Sequence, residues 1–123
     1  MYSKKIMEEF YNPQNYGVIK GASGVGKVVS HENGEIIKIY ISVEKGTITD
    51  VQFQTFGGVV AIACSSIATA LMKGKAIDDV LKVTENELIK EAGGIPENMK
   101  YVAGLVVRAM HGSVENYREK EAK

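Results

Sequence analysis

Side chains of the right type and spacing for chemistry fall in three places. His31, Glu32 and Glu35 lie within five residues, an imidazole and carboxylates of the kind that hold a divalent ion. GASGVGK, residues 21–27, has the glycine and lysine spacing of a loop that wraps nucleotide phosphates. TFGGVVAIACSS, residues 55–66, runs from a strand-like pair through Gly57-Gly58 into an apolar helix, which is the layout of a metal-site mouth. Yet the only cysteine, Cys64, stands six residues beyond Gly58.

Each candidate meets a plainer reading. Val28 follows Lys27 where a phosphate loop needs serine or threonine for magnesium, and the segment leads into a strand instead of opening a helix. Residues 21–27 therefore read as a glycine-rich connection with a solvated lysine. Six helical residues put Cys64 about 120° around from Gly58 and roughly a turn and a half deeper, so it reads as a buried, inert thiol. In an extended segment His31 and Glu35 share a face while Glu32 points away, enough with water for a weakly held zinc or iron ion. Charged residues at a turn more often only solvate an edge. His111 reads as a solvated or dipole-facing residue near the end of the last helix.

The elements that position these residues follow from periodicity. Tyr2, Ile6 and Phe10 recur at helical spacing behind Ser3, a capping residue, and Asn12-Pro13 stops the helix. Residues 16–26 hold four glycines and few large apolar residues and read as a loop. Val28-Val29, then Ile37 to Val43, then Ile48 to Thr55 alternate with period two, separated by turns at Glu32-Asn33-Gly34 and Glu44-Lys45-Gly46. Helices follow over 59–72, 76–82 and 85–91, the last behind the capping box of Thr84 and Glu87. A final helix starts at about Asn98 or Tyr101 and runs to Arg118, with Val102, Leu105, Val106, Ala109 and Met110 as its apolar stripe. Strands first and helices afterwards give an α+β fold: a small antiparallel three-stranded sheet with helices packed on one face, in one domain spanning 1–123.

Fifteen basic residues balance fifteen acidic ones, so no net field draws in nucleic acid or an anionic membrane. One cysteine excludes an internal disulfide. The charged start MYSKKIMEEF does not read as a signal peptide, and the longest apolar run, about 14 residues, is short of the roughly 20 that span a bilayer. The expected location is the cytoplasm.

Three stretches together resemble the iron-sulfur cluster assembly scaffold family, of the IscU and NifU amino-terminal type. YSKKIMEEFYNPQNYG, residues 2–17, resembles the family's first helix and asparagine-proline-x-asparagine turn. GEIIKIYISVEKGTITDVQFQTFG, residues 34–57, is similar to its second and third strands, and AIACSSIATALMKGK, residues 61–75, to the helix and glycine stop that follow. The likeness continues, more weakly, to the end of the chain.

The resemblance implies a cluster held by three cysteines, with an aspartate near the first and a histidine beside the third. Those positions align here with Asn33, Glu35, Gly58, Tyr101 and Val102, and all three thiolates are absent. Glycine and valine offer iron no side-chain donor, and asparagine is a poor one. The family's chaperone-binding segment aligns with Ile95-Pro96-Glu97-Asn98-Met99, which keeps one proline and loses the lysine. The reading is a non-enzymatic relative without cofactor that binds a cysteine desulfurase or an intact scaffold. Its alternative is a carrier of zinc or iron on His31, Glu35 and Asn33. Phe56, Tyr101 and Val102 are expected to close the vacated mouth, with Gly57 and Gly58 kept for their backbone freedom.

Overall fold

Isoleucine at every second position commits the middle of the chain to one sheet. The computed structural model describes all residues 1–123 and places strands β1 at Gly24–Val29, β2 at Ile36–Glu44 and β3 at Thr47–Phe56, in the order β1-β2-β3 and all antiparallel. Ile37, Ile39 and Ile41 of β2 meet Val51 and Phe53 of β3 on the inner face, all five completely buried. The inward residue Ile48 is out of phase with Val51. A register shift between Ser42 and Val43 absorbs the odd residue and lets both point inward.

Helices cover that inner face. Helix α1 spans Lys4–Tyr11, α2 Val59–Met72, α3 Ile77–Val80, α4 Glu85–Glu91 and α5 Tyr101–Glu121, with a single 3-10 turn at Glu97–Met99 before the last. Ser3 caps α1 through the Ile6 amide, and the Thr84–Glu87 capping box closes on α4 as its sequence requires. Helix α2 lies between α1, β3 and α5 and is apolar nearly all round, because small residues let each neighbour approach it. No helix is long and apolar enough to cross a membrane.

Two expectations are corrected. The glycine-rich segment is not a loop from residue 16 to 26, since β1 begins at Gly24. Gly24 and Gly26 are buried, and a methyl group on either would run into the carbonyl oxygens of Ser113 and Ala109 on α5. These glycines let a helix lie directly on a strand, and of the motif only Gly21 and Lys27 are exposed. The final helix extends to Glu121, so His111 sits at its middle, half-buried, with Nε2 3.0 Å from the carbonyl oxygen of Val83.

The turn after α1 joins three elements. Gln14 donates its amide to Ser66 Oγ at 2.7 Å, and the Asn15 side chain donates to Thr69 Oγ1 at 3.3 Å. Asn15 holds a positive φ of 63°, which lets its carbonyl accept from the Phe53 amide at 2.8 Å while Gly17 donates back to the Phe53 carbonyl. Beneath it, Ser66 Oγ donates to the buried carboxylate of Glu9 at 2.7 Å, joined by Gln14 Nε2 at 3.0 Å. This network fixes α1 and the edge of β3 to α2.

Candidate functional site

Five positions singled out from the sequence come from three separate segments. Asn33 is exposed in the turn between β1 and β2, and Glu35 precedes β2. Gly58 precedes α2, and Tyr101 and Val102 open α5. The sheet and the two long helices carry these segments to one end of the molecule. Tyr101 donates its phenolic hydroxyl to Glu35 Oε2 at 2.7 Å. The Glu35 side chain also lies against Gly57, where an added methyl would meet its Cγ at 3.0 Å and the Ala61 side chain at 2.9 Å. Asn33 and Tyr101 line one open groove of about 660 Å³ with Glu85, Gly104 and Arg108.

Burial sorts the five into unlike roles. Glu35 is 8 % exposed, and its Oε1 is enclosed without a hydrogen-bond partner. Val102 is 1 % exposed and belongs to the hydrophobic core. Gly58 is open to solvent with nothing within 4 Å of where a Cβ would stand, and its φ of −88° is ordinary for any residue. Only space constrains this loop, and only at Gly57; neither glycine is there for a left-handed backbone. The hydrogen bond to Glu35 holds the Tyr101 phenol above its usual range, with partial burial and the carboxylate's charge adding to it.

Phe56 does not close this end. Its side chain is 72 % exposed, on the outer face of the sheet, where it shares a row with Val29 and Ile36. The reason is register: in a period-two strand with Phe53 and Thr55 directed inward, Phe56 must point out. The closure that exists is the Tyr101–Glu35 pair, a contact between residues 66 apart in sequence that no local pattern announces.

Nor is the segment around His31 extended. The Gly34 amide donates to the Ser30 carbonyl at 2.7 Å, folding residues 31–33 into an exposed turn while Glu35 turns inward to Tyr101. No three His, Cys, Asp or Glu side chains gather anywhere in the chain in a way that could hold a metal ion. Cys64 is completely buried in α2, and loss of water around it pushes its thiol up to about 12, so it stays protonated at neutral pH.

Comparison with known proteins agrees with this architecture. The family model described as the NifU-like N terminal domain matches residues 1–123. The chain is 40 % identical over 123 residues to an iron-sulfur cluster assembly scaffold protein IscU of Archaeoglobus fulgidus, covering all of this chain and 80 % of that one. It is 34 % identical over 124 residues to the IscU scaffold protein of Aquifex aeolicus, covering 99 % of this chain and 79 % of the other. The nitrogen fixation protein NifU of Azotobacter chroococcum is 36 % identical, but the match takes in only 40 % of its length. Among solved structures, the N-terminal part of a NifU-like protein from Brucella abortus superposes with a TM-score of 0.76 at 22 % identity, covering 96 % of this chain and 94 % of that one, a likeness of fold. With the family model spanning every residue and relatives matched along the full chain, this protein belongs to the NifU-like N-terminal domain family of iron-sulfur cluster assembly scaffolds.

Proposed function

We propose that this chain is an accessory member of its family, acting in iron-sulfur cluster biogenesis by binding a partner and not by building a cluster itself. The observation that carries the reading is the Tyr101–Glu35 hydrogen bond. At two positions where the family resemblance puts a histidine and an aspartate, this chain joins side chain to side chain. Around that pair, Asn33, Gly58 and Val102 stand where the resemblance puts thiolates, and the one thiol the chain owns is buried and protonated. The fold-making parts persist meanwhile: the Asn12-to-Asn15 turn, the small-residue helix α2 and the sheet.

A partner that recognises the scaffold fold would still find it here. Such a partner would be a cysteine desulfurase or an intact scaffold, which the chain would occupy or regulate without turning over substrate. Co-purification with a desulfurase and a three-cysteine scaffold from the same cells tests this. Recovery of either at stoichiometric level supports the reading, and recovery of neither under conditions where the two bind each other removes it.

A second reading has one observation of its own, the enclosed and unpartnered Oε1 of Glu35. A divalent ion held there with Asn33 and water, and with His31 if the turn rearranged, would make the chain a carrier of zinc or ferrous iron. Equilibrium dialysis against each metal, with Glu35→Gln as control, separates the two readings.

A further inference from the structure

The β1 edge of the sheet carries a surface that the candidate site does not use. The ladder between β1 and β2 is phased by the Ser30 amide, which donates to the Glu35 carbonyl at 2.8 Å. Alternation then turns the main-chain groups of Val25, Lys27 and Val29 away from β2. The Val25 amide is taken by Asn116 Oδ1 of α5 at 2.9 Å. No loop or side chain bonds to those of Lys27 and Val29. The opposite edge is treated differently, since residues 15 and 17 bond to Phe53 and residues 74 and 75 to Ile48.

The outer face beside this open edge is graded. Val29, Ile36 and Phe56 form one cross-strand row, with Val29 39 % and Phe56 72 % exposed. The next row is Lys27, Lys38 and Gln54. Neither lysine is within ion-pair distance of a carboxylate, and Lys38 instead lies over the Tyr40 ring at 5.1 Å. Tyr16, 54 % exposed, borders the same hollow as Phe56 and Lys38.

We infer that the Lys27–Val29 edge of β1 is a docking site for an extended acidic segment of another protein, which adds as a fourth strand. Two main-chain donors and two acceptors supply the pairing, as in other strand-addition complexes. Side chains two apart on the incoming strand share the outer face, so an apolar residue falls beside Val29, Ile36 and Phe56 and a carboxylate beside Lys27 and Lys38. The lysines also decide against a second copy of this chain as occupant. Two β1 edges paired antiparallel about residue 27 would set Lys27 against Lys27 with both Lys38 side chains close by, and like charges directly opposite are unfavourable. This surface lies on a different face from the Tyr101–Glu35 pair and does not depend on the accessory role.

The test is an NMR titration of the isotopically labelled full chain with a strand-forming peptide, Thr-Val-Thr-Glu-Thr-Val-Thr, and with its Glu-to-Lys counterpart. The expected result is amide shifts centred on residues 27–29, with Ile36 and Phe56 responding, for the acidic peptide and not for the basic one. Lys27→Glu with Lys38→Glu should weaken the acidic peptide about tenfold and reverse the preference between the two peptides. Val29→Pro, which removes only an outward amide, should abolish binding while the β1–β2 ladder signals remain. Three outcomes overturn the inference: no shift at millimolar acidic peptide, equal response to both peptides, or shifts at 27–29 that depend on protein concentration without peptide, which would assign the edge to a second copy.

Discussion

Tyr101 at the first turn of α5 and Glu35 at the entry to β2 are joined by a 2.7 Å hydrogen bond in which the phenol donates and the carboxylate accepts. It ties the turn end of the sheet to the longest helix. It also gives a buried carboxylate, 8 % exposed, the only partner it has. Without that partner the buried side chain would have both oxygens unsatisfied, which costs stability.

Removing the donor should therefore be felt. Tyr101→Phe keeps the ring and leaves both oxygens of Glu35 without a protein partner, a loss of about 1 to 2 kcal/mol. Urea unfolding of the two proteins measures it, and Glu35→Gln alone and in combination completes a double-mutant cycle. A coupling near zero would show that the pair is incidental. The same bond sets an alkaline limit. Because the folded phenol titrates above its unfolded value, its contribution is complete below about pH 10 and is lost as pH rises through the folded value. Tyr101→Phe should flatten that part of the stability profile.

The acid limb belongs to Glu9. Burial by itself would raise its carboxyl, but the hydrogen bonds from Ser66 and Gln14 and the charge of Lys5 outweigh that and leave it below the ordinary range. A lowered folded value means the unfolded chain binds the proton first. The network's stabilisation is then present above about pH 4.3 and disappears as pH falls through the folded value. Acid unfolding of Glu9→Gln should be shallower in that window. Ser66→Ala, which also strands the Gln14 amide, should cost about 2 kcal/mol at neutral pH.

How far the sequence alone reaches depends on whether a contact leaves a periodic trace. The isoleucines of β2, the ends of α2 and the capping box at Thr84 each repeat at a spacing that one element imposes, and each appears where its pattern says. The start of β1 leaves none, because glycine looks like loop whether it serves a turn or, as at Gly24 and Gly26, the close approach of a helix. The last turn of α5 is missed because residues 119–121 are all charged and carry no apolar stripe, which in turn puts His111 wrongly near an end. The Tyr101–Glu35 pair spans most of the fold, and only the finished topology brings it together. Glu35 and Tyr101 were legible as positions; their bond was not.

Glycine chemistry gives a contrast within one protein. Gly26→Ala places a methyl against the Ala109 carbonyl, where neither backbone can yield, and should cost about 3 kcal/mol or prevent α5 from seating. Gly58→Ala meets open space at an ordinary φ and should change stability by less than about 0.5 kcal/mol. Thermal melts of the two variants check the pair, and equal losses would mean that the α5–β1 contact is looser than described.

On the proposed reading, Asn33, Gly58 and Val102 hold no cluster. Anaerobic incubation with ferrous iron, sulfide and reductant should give no thiolate-to-iron absorption, Cys64→Ser should leave that result unchanged, and chelator should not shift the melting temperature, because no site is coupled to folding. Thiolates put back as Asn33→Cys, Gly58→Cys and Val102→Cys test whether the geometry survives. Residue 33 is exposed and residue 58 is open, so two of the three are accommodated freely, while residue 102 lies in the core behind Tyr101. The triple variant should therefore take up a labile cluster at low yield. Adding Tyr101→Ala, which opens the way to residue 102 and frees the carboxylate of Glu35, should raise that yield. Stoichiometric cluster on the unaltered protein, lost on Cys64→Ser, would place the thiol outside the core and reverse the reading of this site.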